Sequence, residues 1–566
     1  NVIIRLLQFK NLPGSVEKQQ LEAAGINLIE YIPNRAWVAH IPSTITYAKL
    51  KSLGVDAIHS YPVSLRTDNF IPNGNYPAYV VDGSKRRLQL LTYKLKDFSG
   101  VKNEIISKTE SSILSENEEY GMIEISIEEN KIQDLFSIND LRYIEIGSEE
   151  GKPENSTART LHRSNTLNTN YLGGKKYDGS GVVVMMQDDG NIGPHIDFQG
   201  RIDQSQANVQ TSQGNHGDHV AGTFMGSGNL DPLAEGMAPG VFGHIHGNSN
   251  NHYFQVPSLY NNNNLVITTK SYSNGCNAGY TTLTNQLDNQ VVAHPSLIHV
   301  FSAGNSGTSN CGYGAGSNWG NVTGGHKVGK NVVTVANLSY NDQLSNSSSR
   351  GPAQDGRIKP DISAKGSNVY SNDENYSYRT ISGTSMSCPG VTGTFAQLYH
   401  AYRDLNGGQD PNSALMKGVV LNSADDLGNA GPDFRFGWGR INGNQAYKIL
   451  ENNQYMDSTI ANKDSNSHSL NIPSGVARVK IMLYWKDPAA TTTALFDLVS
   501  DLNLTVTDPS LTEHNPLVLD PSPSPTALNT PAAPGVDILN NMEQVIIDAP
   551  AAGTYQINVE GDVVPV

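Results

Sequence analysis

The octapeptide Ser382-Gly383-Thr384-Ser385-Met386-Ser387-Cys388-Pro389 constrains this 566-residue chain more than any other stretch. Small residues precede Ser385, and an apolar run from Val391 to Tyr399 follows with helical spacing. The pattern predicts a buried helix with Ser385 in its first turn. Free backbone N–H groups and the positive end of the helix dipole there favour a developing anion. Pro389 reads as an early helical proline whose missing donor costs nothing. A chemically idle helix with Ser/Thr caps has a similar first turn, so residues elsewhere must decide.

Two upstream stretches qualify. Gly181 to Met186 is an apolar run that enters Gln187-Asp188-Asp189-Gly190. A carboxylate at the C-terminal end of a parallel strand lies where open α/β sheets place their sites. Asn215-His216-Gly217-Asp218-His219-Val220-Ala221-Gly222-Thr223 opens a helix with a histidine. Its His-x-Asp-His core is also part of a metallo-β-lactamase pattern, but the first histidine of that pattern falls on Gly214, so the metal reading fails.

Residues 383–389 resemble the Gly-Thr-Ser-Met-x-x-Pro nucleophile word of subtilisin-like serine proteases, whose triad is threaded Asp, His, Ser. The resemblance assigns Asp188 as the orienting carboxylate, His216 as the base and Ser385 as the nucleophile. Ala303-Gly304-Asn305 is similar to the family's oxyanion segment and makes Asn305 a donor beside the Ser385 N–H. The landmarks Gly236-Met-Ala-Pro239, Ser348-Ser-Arg-Gly-Pro352, Lys359-Pro-Asp-Ile362 and Phe436-Gly-Trp-Gly439 follow in the family's order. Asp189 and Asp218 depart from the pattern, and Asp218 is expected to raise the pKa of the base.

The resemblance implies a substrate strand running beside Ser271, Tyr272, Ser273, Asn274 and Gly275, with Ala303 and Gly304 opposite. Tyr272 next to small Ser273 suggests a broad pocket for apolar or aromatic side chains. Cys276 and Cys311 then leave neighbouring loops and are expected to form a disulfide, with Cys388 a packed thiol. No organic cofactor is needed. Calcium is implied as a structural ion, although no EF-hand-like ligand set is legible.

The expected fold class is α/β, with a doubly wound parallel sheet at residues 166–453. Residues 1–150 read as two copies of a ferredoxin-like β-α-β-β-α-β unit. The first copy has strands at 2–9, 26–31, 36–41 and 56–61. The second has strands at 87–95, 121–127 and 141–146 with one helix at 131–136. Subtilisin-like zymogens carry an N-terminal propeptide, and this region looks like a doubled one; a permanent accessory domain is the alternative. The polar stretch 151–165 reads as a linker and processing site. Short alternating strands at 460–566 predict an all-β sandwich that resembles a jelly roll.

Net charge of −15 argues against nucleic acid or an anionic membrane as partner. No apolar run reaches the length of a membrane span. A chain that opens at Asn1 is expected to be trimmed, so the lack of a leader says little about export. The sum is a secreted or cell-surface serine endopeptidase, monomeric, acting on protein or peptide substrates. An inactive scaffold serving as a binding module is the alternative. A serine-carboxyl peptidase would need Glu in place of His216 and Asp in place of Asn305.

Overall fold

The computed structural model describes residues 2–61, 65–68, 70–93, 97–147, 152–153, 159–169, 174–207, 215–248, 252–273 and 275–565. At its centre is a seven-stranded sheet. Its order is Ile202–Gln206, Phe242–Gly247, Val183–Asp188, Leu265–Lys270, Ile298–Ser302, Val333–Leu338 and Ile362–Lys365, with every pairing parallel. Every residue of Leu265–Lys270 and of Val333–Leu338 is buried, as expected for strands covered on both faces.

The chain first builds away from Val183–Asp188 on one side, through Phe242–Gly247, and then returns to build on the other from Leu265–Lys270. Asp188 therefore ends the strand beside which the order of addition reverses, where such sheets open a crevice. The helix Thr384–Leu405 packs on three central strands and against the helix His216–Met225. Met386, Val391, Phe395 and Tyr399 are wholly buried in the shared core.

Preceding this block are two antiparallel sheets, each with its own apolar core. The first has the order Asn27–Ile32, Ala36–Pro42, Val2–Phe9, Val55–Ser60. The second repeats that order with Ser112–Asn117, Met122–Glu128, Lys85–Thr92 and Leu141–Ile146. Two elements of this unit go beyond those expected from sequence, the strand Ser112–Asn117 and the helix Phe98–Thr109, which buries Val101, Ile105 and Thr109 at four-residue spacing. Ser99 and Gly100 interrupt the helical pattern in sequence, while the sheet beneath supplies the apolar contact that holds it.

After residue 460, Ser465–Ile472, Gly553–Val563, Asp501–Thr507 and Glu513–His514 form one antiparallel sheet. Arg478–Tyr484 pairs with Met542–Asp548, and residues of both sheets share a core that includes Leu504, Val506, Val545 and Tyr555.

The three regions touch through polar as well as apolar groups. Lys330 is buried with its ammonium on the Asp487 carboxylate and on the Asp497 carbonyl at 2.7 Å. Arg357 reaches the Asp497 carboxylate at 2.7 Å. From the N-terminal side, Tyr61 shares a 2.6 Å hydrogen bond with Thr493, and Tyr31 packs with Tyr280, Ala490 and Val499. Of the expected linker, residues 151 and 154–158 lie outside the described residues. Lys152 and Pro153 pair antiparallel with Ser273 and Tyr272.

Candidate active site

Asp188 is buried at the tip of its strand, and its Oδ1 lies 2.5 Å from His216 Nδ1. The Asp189 N–H also donates to Asp188 Oδ1, at 2.9 Å. His216 is the first residue of its helix, where backbone N–H groups lack intrahelical acceptors. Asp189 supplies them. Its Oδ2 accepts from the His216 N–H at 3.1 Å and its Oδ1 from the Gly217 N–H at 2.8 Å. The second carboxylate of the Asp-Asp pair is thus a helix cap contributed by the turn that follows Val183–Asp188.

Asp218 is turned to the neighbouring loop, accepting from the Gly193 N–H at 2.6 Å. Burial, opposed by that bond and helped by the charge of Asp189, pushes its carboxyl up to about 7. His219 is buried with Nε2 3.3 Å from the Val369 carbonyl and 3.2 Å from that of Arg379. Burial first, then the charge of His216, pulls its imidazole down to about 3, so it is neutral.

Asp188, Asp189 and His216 place ligand-type atoms within 4.8 Å of one another, the only such trio of His, Cys, Asp or Glu among the described residues. It does not fit calcium, which takes six to eight oxygens. One member is an imidazole, and both Asp189 oxygens already accept N–H bonds.

Ser385 is the second residue of the helix Thr384–Leu405 and is wholly buried. Its hydroxyl donates to the Ser271 carbonyl at 2.5 Å, and the Ser271 hydroxyl donates to the Ser385 carbonyl at 2.9 Å. Pro389 explains why that carbonyl is available. A residue with an N–H at 389 would bond the carbonyl four positions back, which is that of Ser385. Pro389 therefore does remove an intrahelical donor, contrary to the sequence expectation, and the Ser271 hydroxyl takes its place.

Asn305 lies across from this turn. Its Oδ1 accepts from the Thr384 N–H at 3.1 Å and from the Thr384 hydroxyl at 3.3 Å. Those bonds fix the amide so that Nδ2 is its donor end. Gly304 has φ of +108°, and a Cβ there would meet Thr323 Oγ1 at 2.1 Å, so glycine is required.

The other expected substrate contacts divide. Ala303 is buried, with its N–H on the Val335 carbonyl at 2.9 Å and its own carbonyl receiving the Thr323 N–H at 3.0 Å. The Gly304 N–H donates to Thr384 Oγ1 at 3.2 Å, and its carbonyl accepts from the Ser349 N–H at 2.8 Å. Both are tied into the fold. Tyr272 and Ser273 form the edge that pairs with Lys152 and Pro153; Gly275 follows, and Asn274 lies outside the described residues. Cys276 and Cys311 are disulfide-bonded with Cα atoms 5.8 Å apart, and Cys388 is a buried free thiol.

A family model described as the subtilase family matches residues 179–439. Residues 179–439 are a subtilase. Subtilisin DY of Bacillus licheniformis is 28% identical over 276 residues, covering 47% of this chain and 90% of the relative. A PII-type proteinase of Lactococcus lactis subsp. cremoris is 36% identical over 91 residues, 16% of this chain and 5% of that protein. C5a peptidase of Streptococcus pyogenes is 40% identical over 87 residues, 15% and 8% respectively. Among solved structures, the prenylagaramide maturation protease PagA aligns at 20% identity with a TM-score of 0.38, over 48% of this chain and 93% of its own. Outside the subtilase block, residues 3–62 match a domain of unknown function, DUF8729.

Proposed function

We propose that this subtilase is a serine endopeptidase in which Asp188, His216 and Ser385 act as the triad and Asn305 as an oxyanion donor. The observation that carries the reading is the 2.5 Å contact between Asp188 Oδ1 and His216 Nδ1. A carboxylate on Nδ1 holds the tautomer that leaves Nε2 to accept a proton. His216 then takes the Ser385 hydroxyl proton as the oxygen attacks the peptide carbonyl. The Ser385 N–H and Asn305 Nδ2 stabilise the tetrahedral oxyanion, and His216 returns the proton to the leaving amine. Water releases the acyl-enzyme by the same path. The Cys276–Cys311 disulfide supports an extracellular site of action.

The same reading makes the N-terminal region an inhibitory propeptide. Lys152 and Pro153 occupy the edge at Tyr272 and Ser273, where a substrate strand would pair. Ser385 is wholly buried in this state. The second N-terminal sheet is tied to the subtilase helix Thr282–Ala293, where the Thr282 hydroxyl donates to the Glu145 carboxyl and Gln290 Nε2 reaches Tyr120 Oη at 3.4 Å. The test is to incubate the purified chain with casein and sequence both the digest and the new protein N-terminus. The reading requires casein cleavage that follows loss of the N-terminal region. Full activity of the uncut chain would remove the inhibitory role, and no activity after cutting would favour a binding module.

A further inference from the structure

Residues 485–500 connect two strands of the C-terminal sandwich, Arg478–Tyr484 and Asp501–Thr507, without regular structure of their own. This loop carries two acidic side chains that meet buried cations of the subtilase domain. Asp487 holds the Lys330 ammonium, and Asp497 Oδ2 accepts from Arg357 at 2.7 Å. Beside them the Asp487 N–H donates to Asn331 Oδ1 at 3.0 Å, and Asn331 Nδ2 donates to the Asp487 carbonyl at 2.8 Å. Asn285 Nδ2 donates to the Ala490 carbonyl at 2.7 Å. Seating the sandwich on the subtilase domain therefore means ordering this loop. An irregular segment loses conformational freedom when it is ordered, and its contacts must offset that loss.

The other side of the loop is met by the first N-terminal sheet. Tyr31, on the strand Asn27–Ile32, packs with Ala490, Ala494 and Val499 of the loop and with Tyr280 of the subtilase domain. Tyr280 Oη in turn accepts the Ala490 N–H at 3.2 Å. The Tyr61 hydroxyl shares a 2.6 Å hydrogen bond with that of Thr493, which lies 3.2 Å from the Thr491 hydroxyl. The Lys18 ammonium donates to the Pro565 carbonyl at 3.4 Å, just past the last strand of the sandwich. Tyrosines suit such a contact, because they bring a large rigid surface and one directed hydroxyl for little lost rotamer freedom.

The second sheet makes different contacts. Its Glu145 and Tyr120 meet Thr282 and Gln290 of the helix Thr282–Ala293, and Lys152 and Pro153 pair at Ser273 and Tyr272. The two N-terminal units are joined to each other by the Glu30–Arg142 ion pair and by packing among Val38, Tyr61 and Tyr93. The second unit therefore faces a subtilase helix and the substrate edge, whereas the first reaches the loop on which the sandwich is seated.

We infer that residues 2–61 are a clamp for the C-terminal sandwich, with the loop 485–500 of the same chain as its ligand, and that inhibition belongs to the second unit. The division of labour rests on the inhibitory reading of the N-terminal region; the clamp does not. The test is hydrogen–deuterium exchange in the uncut Ser385→Ala chain, followed in peptides that cover 485–500, 271–273 and 282–293. The variants are Tyr31→Ala, Tyr61→Phe and, from the loop side, Thr493→Val. Tyr31→Ala should speed exchange across 485–500 by about tenfold or more. That includes the Asp487, Val499 and Ser500 amides, whose acceptors are Asn331 and Asp487 rather than the first unit. Tyr61→Phe and Thr493→Val should each speed it by about two- to tenfold, as loss of one hydroxyl contact allows. Exchange at 271–273 and 282–293 should stay native in these two milder variants. If Tyr31→Ala unfolds the first sheet, the clamp is lost with it and the loop must still be freed. Native exchange across 485–500 in all three variants overturns the clamp. Faster exchange at 271–273 or 282–293 in Tyr61→Phe or Thr493→Val makes the first unit part of the inhibitory contact and overturns the division, while the protease reading stands.

Discussion

Ser271 and Ser385 are joined by reciprocal hydrogen bonds, hydroxyl to carbonyl in each direction, at 2.5 and 2.9 Å. The edge at Ser271 and Tyr272 is thereby registered against the helix that carries Ser385, the proposed nucleophile. The second bond depends on Pro389, which leaves the Ser385 carbonyl without its helical donor.

Asn305→Ala should lower kcat by about 10²–10³ and leave KM nearly unchanged. That is the loss measured for the equivalent donor in subtilisin, a relative of this domain, and not a value obtained for this chain. The physical basis is that Thr384 holds Asn305 Oδ1 and so aims the amide nitrogen. Steady-state kinetics on the processed enzyme checks it. A rise in KM with unchanged kcat would make Asn305 a ground-state contact.

Asp189→Ala removes acceptors from the first two N–H groups of the His216 helix. Loss of such a cap costs about 1–2 kcal/mol. The expected result is a lower melting temperature together with a fall in kcat, since the cap also seats the base. Asp189→Asn, which keeps one acceptor oxygen, should recover part of both. A variant with native stability would show that water replaces the carboxylate.

The contact between the N-terminal region and the subtilase domain should weaken as pH rises. Burial, opposed by the Thr282 hydrogen bond, raises the Glu145 carboxyl from 4.5 to about 8. The docked state thus keeps a proton that the free carboxyl releases. Its contribution is complete below about pH 4.5 and is lost progressively as pH rises to about 8. Melting curves of the Ser385→Ala chain, with and without Glu145→Gln, should converge at pH 5 and diverge at pH 8, the Gln variant being the more stable. Equal pH dependence in the two would refute the assignment.

Lys330→Met should cost about 3–5 kcal/mol, the usual penalty for leaving a buried charge unpaired. The Asp487 carboxylate that it neutralises is wholly buried between the subtilase domain and the C-terminal sandwich. Urea unfolding in the Ser385→Ala background would register the loss as a lower midpoint. An unchanged midpoint would mean that the two regions do not depend on this pair for their union.

What could be read in advance follows from how far apart the cooperating residues lie in the chain. The words around Asp188, His216, Asn305 and Ser385 are short and contiguous, so their resemblance to the subtilase motifs could be read from the chain, whereas local pattern alone leaves Asp188 and Asn305 as ordinary turn residues. The alternation of apolar strands and helical stretches likewise announced the parallel sheet. Asp189 stands out in sequence only as a departure from the family pattern, because the backbone groups it caps are 27 and 28 residues away. Asp218 looked like a neighbour of the base because it is two residues on, but the helix turns it towards Gly193.

The central claim is that Ser385 is the nucleophile, activated once the N-terminal region leaves. The most direct measurement is labelling with a fluorophosphonate, followed by mapping of the modified peptide, on the processed native chain and on Ser385→Ala and His216→Ala. The account predicts a single label on Ser385 in the native chain, none at that site in either variant, and casein hydrolysis reduced about 10⁶-fold in Ser385→Ala, as in subtilisin. Label on another serine, or casein hydrolysis by Ser385→Ala at the native rate, would contradict it.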